Sequence, residues 1–231
     1  MVLGILFFLP VTFLLFLYPA THNYTPLDIV KDDVLDLKNF KNGNNETISL
    51  ADHITILGFI GFDPKEQTTA VSNLKELVYD KFKGFKRFQI VMLAPIGTEN
   101  QIEALLADIS SYEDLKFWHV VFGEPETINK VFRSLKSQSA LGDNLSSDLV
   151  YVIDKDLSQR GRLDDRTDRE MEKNKPIYGL YGYNGIEVSE IKNKMSDDLR
   201  ILFTEYRQKR KGEFNTDVRR ANDLKNTDET N

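Results

Sequence analysis

Of the side chains that most often carry chemistry, this 231-residue sequence holds three histidines, 36 acids and no cysteine. Without cysteine there is no thiolate to hold a soft metal, no disulfide and no thiol exchange. His22, His53 and His119 stand far apart along the chain. A copper or zinc site would have to recruit His119 or His53 with Met92 or an acid, and the spacing of these residues suggests no shared face. Ser146 and Ser147 have no histidine nearby in sequence to act as base, so nucleophilic catalysis lacks its activating partner and no catalytic residue is assigned. Asp154, Asp156, Asp164 and Asp165 gather carboxylates, but not at EF-hand spacing and without the glycine that such a loop needs at its sixth position. They fit a hairpin turn and a solvated loop, and no cofactor is implied.

Net charge and hydropathy bound the partners. A formal charge of -6 argues against nucleic acid, which requires a concentrated basic face. The basic group Arg207, Lys209, Arg210 and Lys211 stands instead at the end of a helical pattern, where cations complement the helix dipole and could meet anionic lipid. At the other end of the chain, Val2 to Tyr18 carries no charge, with Phe7, Phe8, Leu14 and Phe16 among its apolar residues. Such a segment is expected to insert into a membrane as a helix, spanning roughly 26 Å at ~1.5 Å per residue. Tyr18-Pro19-Ala20 is a poor cleavage site and no basic residue precedes the apolar run, which favours a retained anchor over a cleaved leader. The expected organisation is a transmembrane anchor over 1–20, a stalk over 21–33, one domain over 34–211 and a disordered polar tail over 212–231. The acidic flank after the anchor fits a single-pass protein with its domain on the exported, periplasmic side.

Hydrophobic periodicity then supplies the elements of the domain. Val34 to Leu37 and Thr47 to Leu50, separated by the turn-prone Lys41-Asn-Gly-Asn-Asn45, are expected to form an entry hairpin. Ile54 to Phe62 and Phe88 to Ala94 are nearly continuous apolar runs, as in strands buried on both faces. Between them Val71, Leu74, Leu77, Val78 and Phe82 recur at helical spacing. Thr98 and Gln101 form a capping-box signature ahead of Ile102, Leu105, Leu106 and Ile109. A strand over Lys116 to Phe122, a helix opening at Pro125, a strand over Leu149 to Ile153 hairpinned to Gly161-Arg-Leu163, and a final helix from Val188 to Tyr206 complete the order. Parallel strands joined by crossover helices, with an antiparallel edge, make an α/β domain of thioredoxin-like topology.

From about Val34 to Arg207 the chain resembles the SCO/SenC family, membrane-anchored thioredoxin-fold proteins that deliver copper to cytochrome c oxidase or reduce its copper site. Leu35-Asp-Leu with Ser49-Leu50 is similar to the entry hairpin of that family, and Ile56 to Phe62 to its first central strand. Trp118 with Phe122-Gly-Glu-Pro-Glu-Thr-Ile128, Tyr151-Val-Ile-Asp-Lys-Asp156 and Tyr181-Gly182 match further motifs in the right order. The family carries Cys-x-x-x-Cys after its first central strand, at positions that fall near Lys65 and Thr69 here, and a third ligand, His, that falls near Ser146. All three ligands are absent, so copper transfer and thiol reduction do not carry over. A redox-dead copy can keep its docking surface, and the loop Asp63, Pro64, Lys65, Glu66 to Thr69 lies where strand-to-helix loops contact partners. The resemblance implies a membrane-anchored, non-catalytic accessory protein whose partners are oxidase subunits or a cysteine-bearing SCO protein. The alternative is metal handling through His119 or His53.

Overall fold

The computed structural model describes Thr12, residues 26–110 and residues 115–211 of the chain. The expected anchor, apart from Thr12, and the expected tail lie outside the described residues, and among those described no helix is long and apolar enough to cross a membrane.

Among the described residues the strands are β1 (Asp28–Lys31), β2 (Lys41–Asn42), β3 (Ile54–Ile60), β4 (Phe88–Pro95), β5 (Trp118–Gly123), β6 (Ser146–Ile153), β7 (Gln159–Gly161) and β8 (Tyr183–Asn184). Seven of them follow the order β1-β7-β6-β3-β4-β5-β2, with β8 added to β6. β3, β4 and β5 run parallel, while β6 is antiparallel to β3 and β7 to β6. The quartet β7-β6-β3-β4 is the thioredoxin-like arrangement expected from the sequence, and β5 extends it by one further parallel strand.

Among the described residues from 26 on there are five helices, four of which pack on the sheet. α1 occupies residues 68–82 with one π turn at Lys75–Tyr79, α2 is Glu99–Ser110, α3 is Pro125–Arg133, α4 is Asp168–Glu172, and α5 occupies residues 188–211 with a π turn at Ile191–Met195. Alternation along β3 explains the layering. Ile54, Ile56 and Ile60 enter a core shared with Val71, Leu74 and Val78 of α1, Ile102 of α2 and Leu199 and Leu202 of α5. Leu57 and Phe59 point the other way, into a core with Ile128 and Val131 of α3 and with Val34, Leu37, Phe40 and Leu50. Both faces of the central strands are covered, as continuous apolar runs demand.

The first fifty residues depart from expectation. The segments Val34 to Leu37 and Thr47 to Leu50 do not pair as strands. One carboxylate joins them: Asp36 accepts from the backbone N–H of Leu50 at 2.7 Å and of Leu37 at 2.9 Å, and from the Ser49 hydroxyl at 2.9 Å. A charged acceptor can satisfy several donors at once, which leaves the chain free to plug the core with Leu37 and Leu50 without forming a ladder. The turn at Asn42 to Glu46 does form, but its strand β2 pairs with β5. The expected stalk over 21–33 also ends earlier than foreseen, because β1 lies within it and docks on β7, with Leu27 and Val30 buried. At α2 the Thr98 hydroxyl donates to the Pro95 carbonyl at 2.8 Å, and the Gln101 N–H goes to the Thr98 backbone carbonyl at 3.1 Å instead of to that hydroxyl. A capping box closes instead on Thr167 and Glu170 at the start of α4, inside the stretch expected to be a charged loop.

Candidate functional site

The loop after β3 is shaped by a glycine and an asparagine. Gly61 has φ +78, and a Cβ placed there would lie 2.4 Å from the carbonyl oxygen of Asn144. Only glycine allows this approach without strain. Phe62 then donates its N–H to the same Asn144 carbonyl at 2.9 Å. Asp63 accepts from the Lys65 N–H at 3.1 Å and opens a 3₁₀ turn at Pro64–Gln67 that runs straight into α1. Proline at the first helical position costs no hydrogen bond, which suits this start.

The segment before β6 packs against that loop. The Asn144 side-chain amide donates to Glu66, and its oxygen accepts from the N–H of Ser146 at 3.0 Å and from its hydroxyl at 2.7 Å. Leu145 between them takes a left-handed φ of 63, normally left to Gly or Asn, while its side chain is buried. Buried Gln67 reaches Asp148 of β6 at 3.2 Å. The structure therefore brings together the two regions that sequence reasoning assigned to lost ligands, the turn holding Lys65 and Thr69 and the segment holding Ser146. Lys65 and Thr69 are exposed, whereas Ser146 is half-buried and held by Asn144. Ammonium, hydroxyl and amide groups can form hydrogen bonds here, but they offer no soft ligand and no redox couple.

Beside the turn, a cleft of 570 Å³ is lined by Phe62, Pro64, Lys65 and, from α2, Asn100, Gln101 and Ala104. Phe62 is 47% exposed, and Ile96, just past the end of β4, is 55% exposed. Two large apolar side chains are thus left in water at the carboxyl ends of adjacent parallel strands, where burial by a partner would stabilise each by roughly 1.5–3 kcal/mol.

The other candidates do not converge. His53 Nδ1 lies 2.9 Å from the Ala51 carbonyl oxygen. His119 pairs with Val91 across the sheet while Met92 pairs with Val120, so His119 and Met92 belong to opposite faces. Burial, and then the neighbouring His53, push the imidazole pKa of His119 below its ordinary value. Among the described residues no three His, Asp or Glu side chains gather as metal ligands. His22 lies outside the described residues.

Two of the grouped aspartates, Asp154 and Asp165, belong to a buried ionic seam that the sequence reading missed, while Asp156 and Asp164 are exposed in the hairpin turn and the loop. Arg160 of β7 is 1% exposed and donates to Asp154 at 3.0 Å, to the Leu27 carbonyl at 2.8 Å and, through two nitrogens, to Glu205 of α5. Burial works against its charge, but Glu205 and Asp154 outweigh that penalty and hold the guanidinium firmly protonated. Next to it Arg162 makes a two-pronged contact with Asp198 at 3.0 and 2.8 Å and reaches Asp165 at 2.9 Å, and Tyr183 donates to Asp198 at 2.7 Å. Burial and then Asp198 raise the Tyr183 phenol well above its ordinary pKa. Asp164 is held by Arg166. The signal available in the sequence was Asp198 and Glu205, placed among Leu199, Leu202 and Tyr206 on what should have been a purely apolar stripe.

No family profile and no curated protein matches the chain. Solved structures similar to it include a protein of Aquifex aeolicus VF5, with 16% identity over 74% of this chain and 92% of that one at a TM-score of 0.48. ScoI of Bradyrhizobium japonicum with copper bound gives 13% identity over 74% and 99% at 0.41. The soluble domain of Sco1 of Bacillus subtilis gives 16% over 74% and 91% at 0.41.

Proposed function

We propose that this chain is a membrane-tethered, redox-inactive thioredoxin-like protein that binds a protein partner through the loop Asp63 to Thr69 and acts as an accessory factor in assembly of a respiratory oxidase. The observation that carries the reading is the exposed Phe62 beside the Pro64–Lys65 cleft. It sits on a turn fastened to β6 through Asn144 and Gln67, so the apolar contact is presented on a rigid frame. Preorganised loops of this kind lose little entropy on docking. The sequence resemblance to the SCO/SenC family supports oxidase subunits or a cysteine-bearing SCO protein as the partner, and the uncharged run at 2–18 supports the tether and the exported location.

The test is recovery of partners from gently solubilised native membranes by tagged full-length protein, with a Phe62→Ser, Lys65→Glu double variant alongside. Oxidase subunits or an SCO protein should accompany the unaltered chain and be depleted with the variant. Equal recovery by both would remove the loop from the docking surface.

A further inference from the structure

A second cleft lies at the opposite pole of the sheet, where β3 begins. It has a volume of 860 Å³ and is bounded by the loop after α1 (Phe85, Lys86), the β6–β7 turn (Lys155, Asp156) and the end of α5. Four of its cations, Lys86, Lys155, Arg207 and Arg210, form no ion pair among the described residues, whereas Lys209 is matched by Glu205 at 2.9 Å. The only acid in the lining is Asp156, and it is engaged by the Tyr206 hydroxyl at 3.1 Å. A surplus of positive charge is thus concentrated in one concavity of a chain whose formal net charge is -6. The cations feel one another: burial and then Arg87 and Arg210 lower the ammonium pKa of Lys155.

The wall between these charges is aromatic. Phe85 and Phe203 stack at 4.3 Å, and Tyr206 is fixed between the ammonium groups of Lys155 at 4.8 Å and Lys209 at 4.9 Å. Unpaired like charges held close together on a folded surface repel, and an anion relieves that repulsion. A single carboxylate would leave most of the charge unmatched. A phosphate carries more charge and offers acceptors in several directions, which suits guanidinium and ammonium donors arriving from three chain segments.

We propose that this cleft binds a phosphate group, supplied either by a free phosphorylated compound or by the headgroup of an anionic phospholipid. Calorimetric titration of the full chain with pyrophosphate, in neutral detergent micelles and phosphate-free buffer, tests it. Saturable binding is expected, weakened at least about tenfold by Lys155→Ala with Arg210→Ala and unaffected by Lys65→Glu at the other pole. The thermal midpoint of Arg210→Ala and of Arg207→Ala should stay close to that of the unaltered chain, whereas Lys155→Ala also gives up its contact with the Tyr206 ring, so its midpoint is compared first; Arg207→Ala alone serves as a second, milder variant and should weaken binding by less. Repeating the titration in micelles doped with phosphatidylglycerol separates the sources. Loss of pyrophosphate binding there assigns the site to a lipid headgroup, and unchanged binding assigns it to a soluble compound. Absence of binding in neutral micelles, or binding equally tight in the double variant, overturns the proposal.

Discussion

The turn at Asp63 to Thr69 and the seam between β7 and α5 are built from opposite materials. At the turn, exposed Lys65 and Thr69 sit near a half-buried serine, the shaping is done by Gly61 and Asn144, and no charge is deeply buried. At the seam, Arg160, Asp154 and Glu205 are each 1% exposed and bound to one another. Charged groups hold the last helix to the sheet at the seam, whereas the turn after β3 is shaped by a glycine and an amide. Strongly interacting ionisable groups are often taken as a mark of a functional site. Here they mark a structural joint, because each buried carboxylate of the seam is bound to an arginine of the seam and none faces the cleft beside Phe62.

The largest way to break this contrast is Arg160→Met. It would take from buried Asp154 its only cation and from Glu205 its guanidinium, leaving Glu205 with Lys209 alone, and a loss of about 3 kcal/mol in stability is expected from chemical denaturation. A change near zero would mean that the seam is not what secures α5. Gly61→Ala attacks the turn through its backbone alone: the added methyl meets the Asn144 carbonyl at 2.4 Å at a positive φ, so about 1–3 kcal/mol should be lost. Partner recovery should fall with it.

A smaller effect separates a structural His119 from a ligand. Its protonation is disfavoured in the folded state, so the unfolded chain binds that proton more tightly. Stability from this group is then full above the ordinary histidine pKa of about 6.5 and declines as the pH falls through and below it. His119→Gln should flatten that part of the pH profile of unfolding and leave the region above it unchanged. Smallest of all, Lys65→Ala with Thr69→Ala should alter stability by no more than about 0.5 kcal/mol, since both side chains are exposed, while partner recovery drops. If stability and recovery instead moved together, the turn would be part of the framework and its contrast with the seam would disappear.

The central strands were legible because their apolar runs serve both faces. Ile54 to Ile60 and Phe88 to Pro95 needed no knowledge of the rest of the molecule. β1 was not legible: Asp-Ile-Val-Lys offers two apolar residues between charges, and only pairing with β7 makes it a strand. The entry hairpin was expected from turn residues and short apolar stretches, signals that do not reveal a carboxylate such as Asp36 standing in for a ladder. At the site, the position of the turn followed from the strand before it, but its link to Asn144 did not, because 81 residues of chain separate the Asp63 and Asn144 positions. That link rests on the missing Cβ of Gly61, visible in sequence only as one glycine among 13.

The hydrogen bond from Arg160 to the carbonyl of Leu27 gives the fold a mechanical property. β1 is the first strand among the described residues, and it is held along one edge by β7 and at Leu27 by a guanidinium that also grips α5. A pull on the chain ahead of Leu27 is therefore loaded onto Arg160 and shared at once between the sheet edge and the final helix, so the first and last described elements of the domain yield together or not at all.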